Sequence, residues 1–100
     1  MPFKITKFLR AEAQLRVLAK RAAAMGVFQA YSDAIDRIGE HLKTDPLGWG
    51  DPEYNTKHPG GVVCHGIEDR LLVHFAVYVA EQVVCLIDIE PLPNSPLAGP

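Results

Sequence analysis

Positive charge is almost missing from the second half of this 100-residue chain. After residue 50 only Lys57 and Arg70 are basic, while Asp51, Glu53, Glu68, Asp69, Glu81, Asp88 and Glu90 are acidic, a balance of −5. Residues 1–50 hold eight basic and five acidic side chains, a balance of +3, so the overall −2 hides two halves of opposite sign. That total argues against a generic polyanion binder, because affinity for phosphates comes largely from Lys and Arg releasing counterions. Cysteine is scarce as well. Cys64 and Cys85 each sit among Val, Ile and Leu, which reads as two buried free thiols rather than a disulfide. No long apolar run is left unbroken. The most apolar stretch, Leu71 to Ile89, contains His74, Glu81, Gln82 and Asp88, whereas a membrane span needs roughly 20 mostly apolar residues. The start, Pro2-Phe3-Lys4-Ile5-Thr6-Lys7, is too short and too charged for a signal peptide. The expectation is a soluble, cytoplasmic, reduced protein without membrane contact. Gly48, Gly50, Gly60 and Gly61 are followed by no GK[ST], so they read as turn residues and not as a phosphate cradle.

What is present is ordinary globular material, 48% apolar and 22% charged, enough for one core. Phe3 to Lys7 alternates apolar and polar and predicts a short strand. From about Arg10 the period lengthens: Ala11, Leu15, Leu18, Ala22 and Met25 form one helical stripe, with Arg16, Lys20 and Arg21 off it. Gly26 stands where a helix ends, and a second stripe follows at Phe28, Tyr31, Ile35, Ile38 and Leu42. Asp45-Pro46 closes that helix, since a residue before proline disfavours helical backbone. The segment 46–61 is a loop by composition, with Trp49 and Tyr54 as expected anchors on the core. Val62 to Ile67, Leu71 to Val79 and Val83 to Ile89 then read as strands, with a turn at Glu68-Asp69. Strand 62–67 lacks clean alternation, so an inward Val62/Cys64 and an inward Val63/His65 are both compatible with it. The domain is expected over residues 1–90, with 91–100 a loose Pro-rich tail.

A three-residue loop Ala80-Glu81-Gln82 sets the register of the last hairpin. It pairs Val79 with Val83, Val77 with Cys85, Phe75 with Ile87 and Val73 with Ile89, an all-apolar face for the helices. The other face carries Tyr78 with Val84, Ala76 with Leu86, His74 with Asp88 and Leu72 with Glu90. The result is an α+β two-layer domain, order β-α-α-β-β-β, with a helical hairpin on a mostly antiparallel sheet.

His74 opposite Asp88 is the sharpest chemical signal: the carboxylate can fix the imidazole tautomer for acid/base work, with Tyr78 four residues on along the same face. The plain alternative is a cross-strand polar pair contributing under roughly 1 kcal/mol. Cys64, His65, His74 and Cys85 have no zinc-type spacing, and this register sends Cys85 and His74 to opposite faces, so no metal or other cofactor is expected. His41 and His58 stand alone, on a helix surface and in the loop. Arg16, Lys20 and Arg21 form a basic ridge, solvated or available to phosphates or to the acidic half of a second copy.

The element order, the Asp45-Pro46 and Gly50 closing the second helix, and the run Asp69-Arg70-Leu71-Leu72-Val73-His74-Phe75-Ala76-Val77 resemble the RelE/ParE superfamily of bacterial type II toxins. Arg70 matches the family's strand arginine, and Phe75 and Val77 approximate its aromatic and valine positions over residues 3–90. The resemblance implies a toxin-like component of a toxin–antitoxin pair, acting by ribosome-dependent mRNA cleavage or by poisoning gyrase. It implies Arg70 as a phosphate contact and, with Arg70, the set His74, Asp88 and Tyr78 as catalytic candidates. The implied partner is an antitoxin or another protein, with RNA and the ribosome only for an active member. Active members are strongly basic on the sheet, and this chain is acidic there. Two readings stand: a divergent toxin, active or inactive, and a non-catalytic interaction module or homodimer that kept the fold.

Overall fold

The computed structural model of the protein describes residues 2–57 and 60–98. The chain runs β1 (Lys4–Lys7), α1 (Leu9–Ala24), α2 (Phe28–Thr44), the single turn α3 (Pro46–Trp49), β2 (Asp51–Asn55), β3 (Gly61–Glu68), β4 (Leu71–Tyr78) and β5 (Val83–Pro91), then a 3₁₀ turn at Pro96–Ala98. The five strands make one sheet in the order β1-β5-β4-β3-β2, antiparallel except for β1, which lies parallel to β5. Both long helices cover one face, as the α+β reading expects. The core is Ala11, Leu18 and Ala22 of α1, Tyr31, Ala34, Ile38 and Leu42 of α2, and Cys64, Leu71, Val73, Phe75, Val77, Val84, Leu86 and Ile89 beneath them.

The helices end where their chemistry stops them. Gly26, at φ +73°, turns the chain out of α1 while Gly26 N–H donates to Ala23 O and Val27 N–H to Ala22 O, at 3.2 and 2.9 Å. This double hydrogen bond is a Schellman motif, and it needs a residue that tolerates positive φ. Met25 and Phe28, placed on the core stripes by periodicity, flank this turn and are about half exposed instead. The α2 helix stops at Asp45, whose carboxylate accepts from Gly48 N–H at 3.1 Å and starts α3 with Pro46 in its first turn.

Three sequence expectations change in the sheet. The loop 46–61 contains α3 and the edge strand β2, and only Trp49 of its two expected anchors reaches the core, stacking on Phe75 at 5.6 Å. Tyr54 is 63% exposed, because β2 is an edge strand that no helix covers. The β4–β5 hairpin closes with Tyr78 opposite Val83, one step from the expected register, and returns to it at His74 opposite Asp88. Ile87 is the extra residue that makes up the difference, a β-bulge. It reverses the alternation along β5, so Val84, Leu86 and Ile89 are buried under the helices, and Val83, Cys85 and Ile87 are not fully covered.

Of the segment after Glu90, expected to be loose, residues 91–98 make contacts with the domain. Leu92 N–H donates to Arg70 O at 2.8 Å, Ser95 N–H donates to Leu92 O at 2.9 Å, and Arg21 holds the carbonyl of Leu97. Leu97 is 6% exposed, and burying a leucine supplies what composition alone did not foresee. His58 lies outside the described residues.

Candidate functional site

The helices leave the opposite face of the sheet uncovered, and β3 settles its open choice of facing: Cys64 points inward at 0% exposure and His65 outward. A two-residue turn, Asp69 and Arg70 at φ +49° and +61°, joins β3 to β4 and sets His65 opposite His74. The two rings lie 6.3 Å apart, inclined at 56°. On the far side of His74 the register returns Asp88, whose Oδ1 lies 3.0 Å from His74 Nδ1. The expected pair is therefore formed, on side chains 28% and 15% exposed.

Two carboxylates of β2 complete the cluster. Asp51 pairs with His65, and Glu53 occupies a break in the register between Pro52 and Tyr54. Glu53 reaches both histidines, Oε1 3.6 Å from His65 Nδ1 and Oε2 3.5 Å from His74 Nε2, while Asp51 Oδ2 stands 3.8 Å from His65 Nε2. His65 Nδ1 is buried without a hydrogen-bond partner. The line Asp51, His65, Glu53, His74, Asp88 thus crosses three neighbouring strands and β5 with no Lys or Arg in any of them. Behind it, burial pushes the Cys64 thiol up from its ordinary value, helped by the charges of Glu53 and Asp51.

The other candidates do not converge on this pair. Arg70 sits in the β3–β4 turn, four residues before His74, and gives its guanidinium to the Asn94 carbonyl at 3.1 Å. Tyr78 lies four residues beyond His74, its ring over Gly61. Four strand residues span about 13 Å, so each is too far to share one reacting atom with His74. Cys85 turns out opposite Ala76 on the same face as His74, because the bulge reverses the parity used to separate them. Among the described residues no group of three or more His, Cys, Asp or Glu is disposed to hold a metal ion.

His41 does not stand alone. It lies on the helix side, stacked on Trp49 at 4.7 Å and 3.1 Å from Glu68, which also takes Arg37 at 3.2 Å. That cluster ties α2 to the end of β3. The residues that sequence reading missed on the open face are His65, Glu53 and Asp51. For His65 a signal exists: a two-residue turn centred between 69 and 70 pairs positions summing to 139, which are 65 and 74. For the carboxylates it does not, since a Pro- and Gly-rich segment reads as loop.

No family model and no curated protein matches the sequence. A solved structure does match the fold: a chain of the archaeal RelE–RelB complex from Pyrococcus horikoshii OT3, with TM-score 0.69 and 12% identity over 95% of this chain and 100% of that one. Among the described residues no helix is long and apolar enough to cross a membrane. Two helices on one face of a five-stranded sheet, in the order β-α-α-β-β-β with α3 and β2 inserted, are a RelE-like fold.

Proposed function

We propose that this chain is the toxin-like component of a type II toxin–antitoxin pair, an RNA-cleaving protein of the cytoplasm with an antitoxin as its partner. The observation that carries the reading is the His74–Asp88 hydrogen bond at 3.0 Å on the uncovered face of a RelE-like sheet. Asp88 accepts from Nδ1–H, which leaves the Nε2 lone pair as the base that takes a 2′-hydroxyl proton. Arg70, in the turn just before β4, serves as an outlying phosphate contact beside the start of that strand. Tyr78 has no part in that step. The neighbour from P. horikoshii is assembled with RelB, and a protein partner of that kind for this chain fits the half-apolar open face.

A second reading, an interaction module without catalysis, acting alone or as a homodimer, is favoured by the missing Lys and Arg of β2–β5. Induced expression separates the two. The toxin reading expects growth arrest with broken messages, relieved by His74→Ala. Arrest with intact messages and damaged chromosomes points to gyrase. Harmless expression of folded wild-type chain overturns the toxin reading and leaves the module.

A further inference from the structure

Cleavage of a phosphodiester by its own 2′-hydroxyl needs one group to take a proton and another to give one. His74 supplies only the first. In β2–β5 the only side chains able to become cationic are His65 and His74, and the register places them side by side. Their nitrogens are bound differently. His74 Nδ1 is tied to Asp88 at 3.0 Å, whereas His65 Nδ1 is buried without a partner, which leaves Nε2 as its working nitrogen. Both Nε2 atoms stand at or beyond the limit of a hydrogen bond from their carboxylates, 3.5 Å for His74 to Glu53 and 3.8 Å for His65 to Asp51. Neither Nε2 is held by a close hydrogen bond, and rings 6.3 Å apart leave both within reach of a single phosphate resting on the face.

We propose that His65 is a second catalytic residue of this face, the general acid to the general base His74, acting on RNA phosphodiesters with a free 2′-hydroxyl. The proposal rests on the RNA-cleaving reading above. In the step, His74 Nε2 takes the 2′-hydroxyl proton as O2′ bonds to phosphorus. The phosphorus–O5′ bond breaks, its electron pair goes to O5′, and O5′ takes the proton from His65 Nε2. A 2′,3′-cyclic phosphate and a 5′-hydroxyl result, and nothing is oxidised, reduced or hydrolysed. Asp51 and Glu53 from β2 and Asp88 from β5 are the charged groups that face the two rings. One imidazole must start neutral and the other protonated.

The test uses purified full chain and ribosomes programmed with a short message. The message is made once with oxygen and once with sulfur at the bridging 5′ position of the cleaved linkage. Sulfur leaves without being protonated, so a missing general acid no longer matters. His65→Ala and the milder His65→Gln are expected to lose about 10² to 10⁴-fold on the oxygen message and to recover most of it on the sulfur message. His74→Ala is expected to lose on both. An unchanged rate for the His65 variants, or an equal loss on the two messages, overturns the proposal while leaving the nuclease reading intact. No cleavage of either message by the wild type overturns the nuclease reading itself.

Discussion

The two faces of β4 are made by eight consecutive residues and have opposite characters. Leu71, Val73, Phe75 and Val77 meet the helices and are no more than 2% exposed. Leu72, His74 and Tyr78, one step along in each case, are half-exposed, and only Ala76 among them is buried. The covered face obtains its stability from packing and tolerates no polar atom. The open face keeps two histidines, one bonded to Asp88 and both with Asp51 or Glu53 at the edge of hydrogen-bond distance, which suits groups that must exchange protons with something else.

The sharpest way to break this comparison is to change adjacent residues. Phe75→Ala is expected to cost about 3–5 kcal/mol, as its ring is fully buried and stacked on Trp49. His74→Gln is expected to cost about 1 kcal/mol or less, the scale of a cross-strand pair. Urea unfolding of both variants decides it, and equal losses would mean that His74 is a structural residue. The same logic tests the bulge. Leu86→Ala is expected to cost about 2–5 kcal/mol and Cys85→Ala under about 1, whereas an unbroken register would reverse their order.

A third change probes how tightly the covered side is packed. A Cβ on Gly66 would stand 2.6 Å from the Trp49 ring, which is stacked between His41 and Phe75. Gly66→Ala is therefore expected to cost about 1–3 kcal/mol and to shift Trp49 fluorescence. An unshifted spectrum with unchanged stability would show that the stack has slack.

Much of the covered side was legible in the sequence, because periodicity reports burial. Ala11, Leu18 and Ala22, then Tyr31, Ile38 and Leu42, fall on the stripes read from spacing alone. The open face was legible only where it depended on pairing across one hairpin, as with His74 and Asp88. The bulge at Ile87 was hidden, since Val83 to Ile87 is apolar on both parities and either facing satisfies that stretch. Asp51 and Glu53 were hidden for another reason: β2 is a strand by pairing with β3 and not by its own Pro-containing sequence. In residues 91–98 proline content argues for looseness, while the burial of Leu97 is a signal that composition does not carry.

The smallest expected effect separates the two cysteines. Cys64 faces the helices, and burial followed by the charges of Glu53 and Asp51 raises its thiol above the ordinary 9.0, while Cys85 is half-exposed. Alkylation requires the thiolate, so iodoacetamide below pH 9.0 is expected to label Cys85 well before Cys64, as read by peptide mass mapping. The same shift is a statement about stability. Above 9.0 the unfolded chain gives up the Cys64 proton before the folded chain does, so the stability present below that value is lost as pH rises through the folded value. Tyr31, raised from 10.0 by burial, repeats the loss at higher pH. Urea midpoints across this range should fall for the wild type and for Cys85→Ala, and fall less for Cys64→Ala. If Cys64 instead alkylates as fast as Cys85, β3 presents its other face to the helices, and the histidine pair with its carboxylates would lie underneath them.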